Sequence, residues 1–310
     1  MLESLLVASS GVTELKHLGD FESIPRPTNF LGRFMATCIV DDRYIYILGG
    51  TNTGHSTFYS AFWRFDTVTE TFTALANYPM PIAGSMLWEQ DDYLYSYSGV
   101  TTGTSGTTKI YRYNMASNAW QAITGVSVPR PAGLSAYGVH NSMLYRYGGQ
   151  NGNINYGYLE IIDKDCNVQS SQLIQVNGKT RTLSRSQGRI VDGVFYVPKG
   201  LATPSPVTEW ADMLEIDLTT GATATYPIDD VGDNSTPTVI VGGEMLIFEA
   251  MGPVKAYHLK TKAVRTVDVD MPPAYTADKL YGSSVERVGD YIYVIGGRDQ
   301  ARIWKIRINP

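Results

Sequence analysis

The sequence predicts an all-β fold closed into a ring, a six-bladed β-propeller. Three observations predict it: a tyrosine-rich apolar strand that recurs six times, a near-constant step between the copies, and a last copy lacking its fourth strand. The recurring strand runs from Tyr44 to Gly50, Tyr93 to Gly99, Met143 to Gly149, Val194 to Gly200, Met245 to Ala250 and Tyr291 to Gly297. The copies end at 50, 99, 149, 200, 250 and 297, so the step stays between 47 and 51 residues.

A second signal keeps the same beat. After each small pair comes a polar loop and then a strand ending in a turn, as in Trp63–Asp66, Tyr111–Asn114, Glu160–Asp163, Leu214–Asp217 and Lys305–Asn309. Asp or Asn at that position caps its own bend by accepting backbone hydrogen bonds two residues on, which suits a hairpin. The following strand carries an aromatic in Phe72 and Trp120, and proline-containing links such as 78–81 and 128–131 lead onward. Each copy therefore reads as four short strands, the first of them an inner strand such as 34–40.

About fifty residues with a Gly-Gly pair and a downstream aromatic resemble the kelch repeat. The resemblance runs over nearly the whole chain. It departs most in the fifth copy, where Glu249-Ala250 replaces the glycines, while the fourth keeps only one.

The last copy stops at Asn309-Pro310, where the others enter their fourth strand. Residues 12–18 are expected to supply that strand, which removes an open sheet edge and turns a strip into a ring. The predicted organisation is one domain over 1–310, with blades at about 26–82, 83–132, 133–182, 183–230, 231–275 and 276–309 and an N-terminal arm at 1–10.

Composition narrows the functional classes. The chain has 30 acidic residues against 25 Lys+Arg and no basic run, so nucleic acid is not an expected partner. No segment approaches the eighteen or so apolar residues needed to span a bilayer, so membrane insertion is not expected. Two cysteines, Cys38 and Cys166, make no disulfide framework and no zinc motif. The four histidines are scattered without ligand spacing, so no metal, no cofactor and no catalytic residue are assigned.

Two groups of residues are candidates for binding. The loops between second and third strands share a face with the interblade links, and His55, Phe58, Tyr59, Tyr156 and Trp210 lie in them; loop aromatics on a rigid scaffold are common interface anchors. The alternative is that they fold back over the blade tops. The opposite face has shorter hairpins and is the weaker candidate. Arg33, Arg130, Arg185 and Arg298, with Arg189 and Arg302 nearby, are expected around the mouth of the central channel. There they would hold a carboxylate through bidentate hydrogen bonds, or else pair with Asp and Glu between blades.

A propeller defines no function by itself. Kelch rings mostly bind proteins, so the first expectation is a non-enzymatic module presenting its long-loop face to a partner protein or surface glycan, within a larger assembly. One version is a bacteriophage virion component, a tail or fibre attachment protein. The alternative is an isomerase: sialic-acid mutarotases are single kelch rings of similar length, which implies acid–base groups and an arginine at the channel mouth.

Overall fold

The computed structural model describes residues 15, 17–28, 30, 32–52, 54–201, 212–228, 235–248, 253–269, 280–297 and 302–309. They form six antiparallel sheets arranged as blades. In the first blade Ala36–Val40, Tyr44–Leu48, Phe62–Asp66 and Thr71–Ala74 pair in chain order. The inner strands of the other five are Met86–Gln90, Ala136–His140, Arg189–Val191, Thr238–Val241 and Ser283–Val288.

The sixth blade closes the ring. Its outer strand comes from the other end of the chain: His17–Pro25 runs antiparallel to Arg302–Asn309, with Ile24 opposite Ile303 and Leu18 opposite Ile308. Asp268–Val269 adds a fifth, parallel strand alongside His17 and Leu18. Of the expected segment, 12–18, His17 and Leu18 lie in this strand, while 12–14 and 16 lie outside the described residues. The pairing runs on past Leu18 through an irregularity before Phe21, so the strand reaches Pro25, which sequence reading treats as the start of a link. The proposed arm at 1–10 lies outside the described residues.

The packing explains why each repeat has its composition. One apolar cluster fills each blade interface; Leu48, Phe62, Leu87 and Tyr113, for example, join blades one and two. Trp120 belongs to that interface, where its indole N–H donates to the Ala76 carbonyl at 2.9 Å. The Gly-Gly pair answers a steric demand. Gly49 has φ 64°, and a Cβ there would lie 2.2 Å from the Ile82 carbonyl of the next link; Gly148 meets Leu183 in the same way at 2.3 Å. The following glycines then donate to those carbonyls, Gly50 to Ile82 and Gly149 to Leu183.

A circle of backbone hydrogen bonds surrounds the axis at the loop face. Phe34 N–H donates to Gly282, Gly84 to Phe34, Leu134 to Gly84, Arg185 to Leu134 and Thr236 to Arg185, at 2.5–3.2 Å. Gly282 N–H completes it by donating to the Ser235 hydroxyl at 3.2 Å. Five of the six steps run between main-chain atoms, and the sixth, between blades five and six, uses the Ser235 side chain.

Two stability predictions follow from this packing. Leu18 is fully buried in the cluster between blades five and six. Leu18→Ala is expected to cost about 3 kcal/mol in chemical denaturation, far more than a surface substitution such as Val68→Ala. Burial also pushes Tyr97, Tyr113 and Tyr196 up to about 12 from an ordinary 10. The unfolded chain releases these protons first, so their contribution is complete below pH 10 and is lost as pH rises toward 12. Tyrosinate absorbance should therefore lag behind that of the unfolded chain and rise together with loss of folded signal.

Candidate functional site

The backbone circle dictates the conformation of the residues that line the mouth. At the position preceding the inner strand, Gly84 and Gly282 have φ of 57° and 75°. Phe34, Leu134 and Arg185 occupy the same left-handed region, at 55°, 59° and 63°. A side chain there costs about 1–2 kcal/mol relative to glycine, and such strain concentrates where side chains serve binding. All three line a cavity of about 60 Å³ on the axis, together with Ser85, Ser135 and Ser283.

Above that cavity an aromatic platform carries two guanidinium groups. Phe34 meets Tyr281 edge-on at 5.3 Å, and the His55 ring stacks on Phe34 at 5.6 Å with 17° between planes. The Arg33 guanidinium lies 5.1 Å from the Tyr281 ring centre, and Arg185 lies 5.7 Å from Phe34. Arg185 donates to the Tyr281 hydroxyl and, at 3.3 Å, to Gln150 Oε1. Both partners are neutral, and Arg185 Nε and Ser283 Oγ are buried with no hydrogen-bond partner. Such donors beside a cationic, aromatic-floored mouth suit a carboxylate attached to a ring with an apolar face.

The structure brings some of the sequence candidates together and separates others. Arg33, Arg185, His55 and Phe58 meet at this mouth, Phe58 packed against the cluster of Phe34, Ala83, Val100 and Leu134. Tyr59 and Tyr156 are half-buried, and their backbone N–H groups donate to the second glycine of the neighbouring pair, Gly50 and Gly149. Arg130 lies away from the mouth: it pairs with Glu160 at 2.5 Å, donates to Ser171 and stacks 3.6 Å from the Tyr158 ring. Arg189 lines the opposite half of the channel. Trp210 and Arg298 lie outside the described residues, as does the side chain of Arg302. Sequence reading missed Phe34, Gln150 and Tyr281. A signal for Phe34 was available: its position is glycine in the second and sixth copies, Gly84 and Gly282, but carries a large side chain in the first, third and fourth.

Tyr137 divides the channel. From the third blade its hydroxyl reaches to 3.3 Å of both the Thr37 and Leu87 carbonyls, on blades one and two. Burial keeps this phenol protonated well above the ordinary tyrosine range. Beyond it lies a chamber of about 370 Å³ opening on the short-hairpin face. Among the described residues no group of three His, Cys, Asp or Glu is placed to hold a metal.

Fold and mouth together define the class: the chain is a six-bladed β-propeller of the kelch type. The kelch motif is matched directly over residues 32–77. The solved structure of YjhT superposes with a TM-score of 0.70 over 91% of this chain and 95% of that one, at 14% identity, a likeness of fold. Two curated relatives are 29% identical over 149 residues: N-acetylneuraminate epimerase of Shigella sonnei and N-acetylneuraminate epimerase 2 of Escherichia coli O6:H1. The match covers 46% of this chain and 38% of the length of those proteins. These relatives overturn the expectation of a non-enzymatic binding module or bacteriophage attachment component, because both are epimerases by name. That expectation rested on what kelch rings mostly do, and a propeller by itself does not choose between binding and catalysis.

The separate position of Arg130 is itself testable. Arg130→Ala should lower stability by about 2 kcal/mol through loss of a charge-assisted bond to buried Glu160, while leaving ligand affinity at the mouth unchanged in calorimetry.

Proposed function

We propose that this chain is a sugar-acid isomerase of the N-acetylneuraminate mutarotase kind, acting at the loop-face mouth of its channel. The observation that carries the proposal is Arg185, a guanidinium held by neutral partners on the axis with a buried, unpartnered Nε. The epimerase relatives supply the substrate class.

Mutarotation opens and recloses a cyclic hemiketal. A base takes the proton of the anomeric hydroxyl as the bond from the anomeric carbon to the ring oxygen breaks, and the ring oxygen gains a proton. The open-chain ketone turns, and the same oxygen attacks its other face as the protons return. No atom is gained or lost. In this reading Arg185, with Arg33 beside it, holds the substrate carboxylate. Phe34 supports the ring face. His55 and Tyr281 are the side chains at the mouth able to exchange protons, an imidazole being suited to both directions near neutral pH.

Following N-acetylneuraminate anomers by proton NMR tests the reading. The protein is expected to speed their equilibration above the spontaneous rate, and Arg185→Ala to lower kcat/KM by roughly 100-fold, about 3 kcal/mol of lost anion binding. Wild-type protein with no effect on the anomer rate would refute it.

A further inference from the structure

The chamber on the short-hairpin face has chemistry opposite to that of the mouth. Its walls are the second halves of the inner strands: Ile39, Trp88, Val139 and Ile190 provide apolar surface, and Glu89 and Glu286 provide carboxylates. The one guanidinium on its wall, Arg189, is engaged within the protein. It donates to the Thr238 carbonyl from Nε and Nη2, to Val285 O at 2.6 Å and to Glu286 at 3.3 Å. Glu286 also accepts from Thr37 Oγ1 at 2.6 Å, which fixes it at the wall, whereas Glu89 is exposed. Both carboxylates act on the thiol of Cys38, which also lines the chamber and is pushed above the ordinary thiol range by burial first and then by Glu286 and Glu89. Both carboxylates line the same chamber as Cys38.

The rim repeats the sign. The hairpin turns that directly follow these strands carry Asp41, Asp42, Asp91, Asp92, Asp192 and Asp290, all exposed. Of the arginines beside these turns, Arg43 is bridged to Asp66 at 2.6 Å, leaving Arg287 as a lone counterweight. Tyr137 closes the floor, so a ligand entering here does not reach the mouth.

We infer that this chamber is a second binding site, for a cationic head group on an aliphatic stem: an ammonium or guanidinium seated at exposed Glu89, with its stem against Ile39, Val139 and Ile190. A negative rim around a low-dielectric cavity raises the local concentration of cations. At about 370 Å³ the space accepts an arginine side chain or one end of a linear polyamine. The inference stands independently of the isomerase reading, since it uses none of the mouth residues.

Spermidine and N-acetyl-arginine amide are the probes, titrated calorimetrically into the full chain, with alkylation of Cys38 as a second readout. One cation per chain is expected to bind and to slow Cys38 alkylation. Glu89→Gln should weaken binding at least tenfold with an unchanged melting temperature, and Arg185→Ala should leave it intact. Tighter spermidine binding would assign the site to free polyamines, and tighter arginine amide binding to a side chain of a basic peptide. The inference is overturned if neither cation protects Cys38, if Glu89→Gln leaves the affinity unchanged, or if N-acetylneuraminate protects Cys38 instead.

Discussion

The circle of hydrogen bonds from Phe34 through Gly84, Leu134, Arg185 and Thr236, closed at Gly282 by the Ser235 hydroxyl, is the constraint on which the molecule depends. Between their sheet faces the blades meet through apolar side-chain packing, which tolerates small sliding. Backbone bonds at one radius do not tolerate it. The circle sets six inner strands about a common axis, and at five of them the residue in the circle, Phe34, Gly84, Leu134, Arg185 and Gly282, is held in the left-handed conformation. Where that residue keeps a side chain, the side chain is aimed at the axis: strain in the scaffold and geometry of the mouth are one feature.

The closing sheet protects that circle. With His17–Pro25 paired to Arg302–Asn309, the two ends of the chain share the sixth sheet, and the segment after Pro25 joins that sheet directly to the first blade. Inside the ring, Tyr137 separates two environments. The mouth presents Arg33 and Arg185 over aromatic rings, while the far chamber presents Glu89 and Glu286 beneath an acidic rim. The proposed anionic sugar and the proposed cationic ligand would thus be directed to opposite ends of one channel, in line with the sign of charge near each opening.

Much of the fold was legible in the sequence because steric rules recur. The Gly-Gly pairs mark close approach of the next link, and turn-capping Asp and Asn mark the outer hairpins, so the repeat count and the origin of the closing strand could be read directly. The strand's limits could not, since pairing continues past Leu18 after an irregularity that no local pattern announces. The site was legible only in part. Arg33 and Arg185 are adjacent to inner strands and converge, but Arg130 sits near one too and is captured by Glu160, a residue thirty positions away. Tyr281 and Gln150 join the mouth from blades six and three, contacts set by the ring and not by neighbours in the chain. The choice between binder and enzyme was not legible, because loop composition is common to both.

Backbone hydrogen exchange at single-residue resolution tests the central claim most directly. The amides of Phe34, Gly84, Leu134 and Arg185 lie at strand entrances, where fraying makes exchange fast in an unconstrained sheet. If the circle ties the blades, these amides exchange as slowly as those of core strands such as Tyr44–Leu48, and only with global unfolding. Exchange at the rate of exposed turns such as Gly125 would contradict the account.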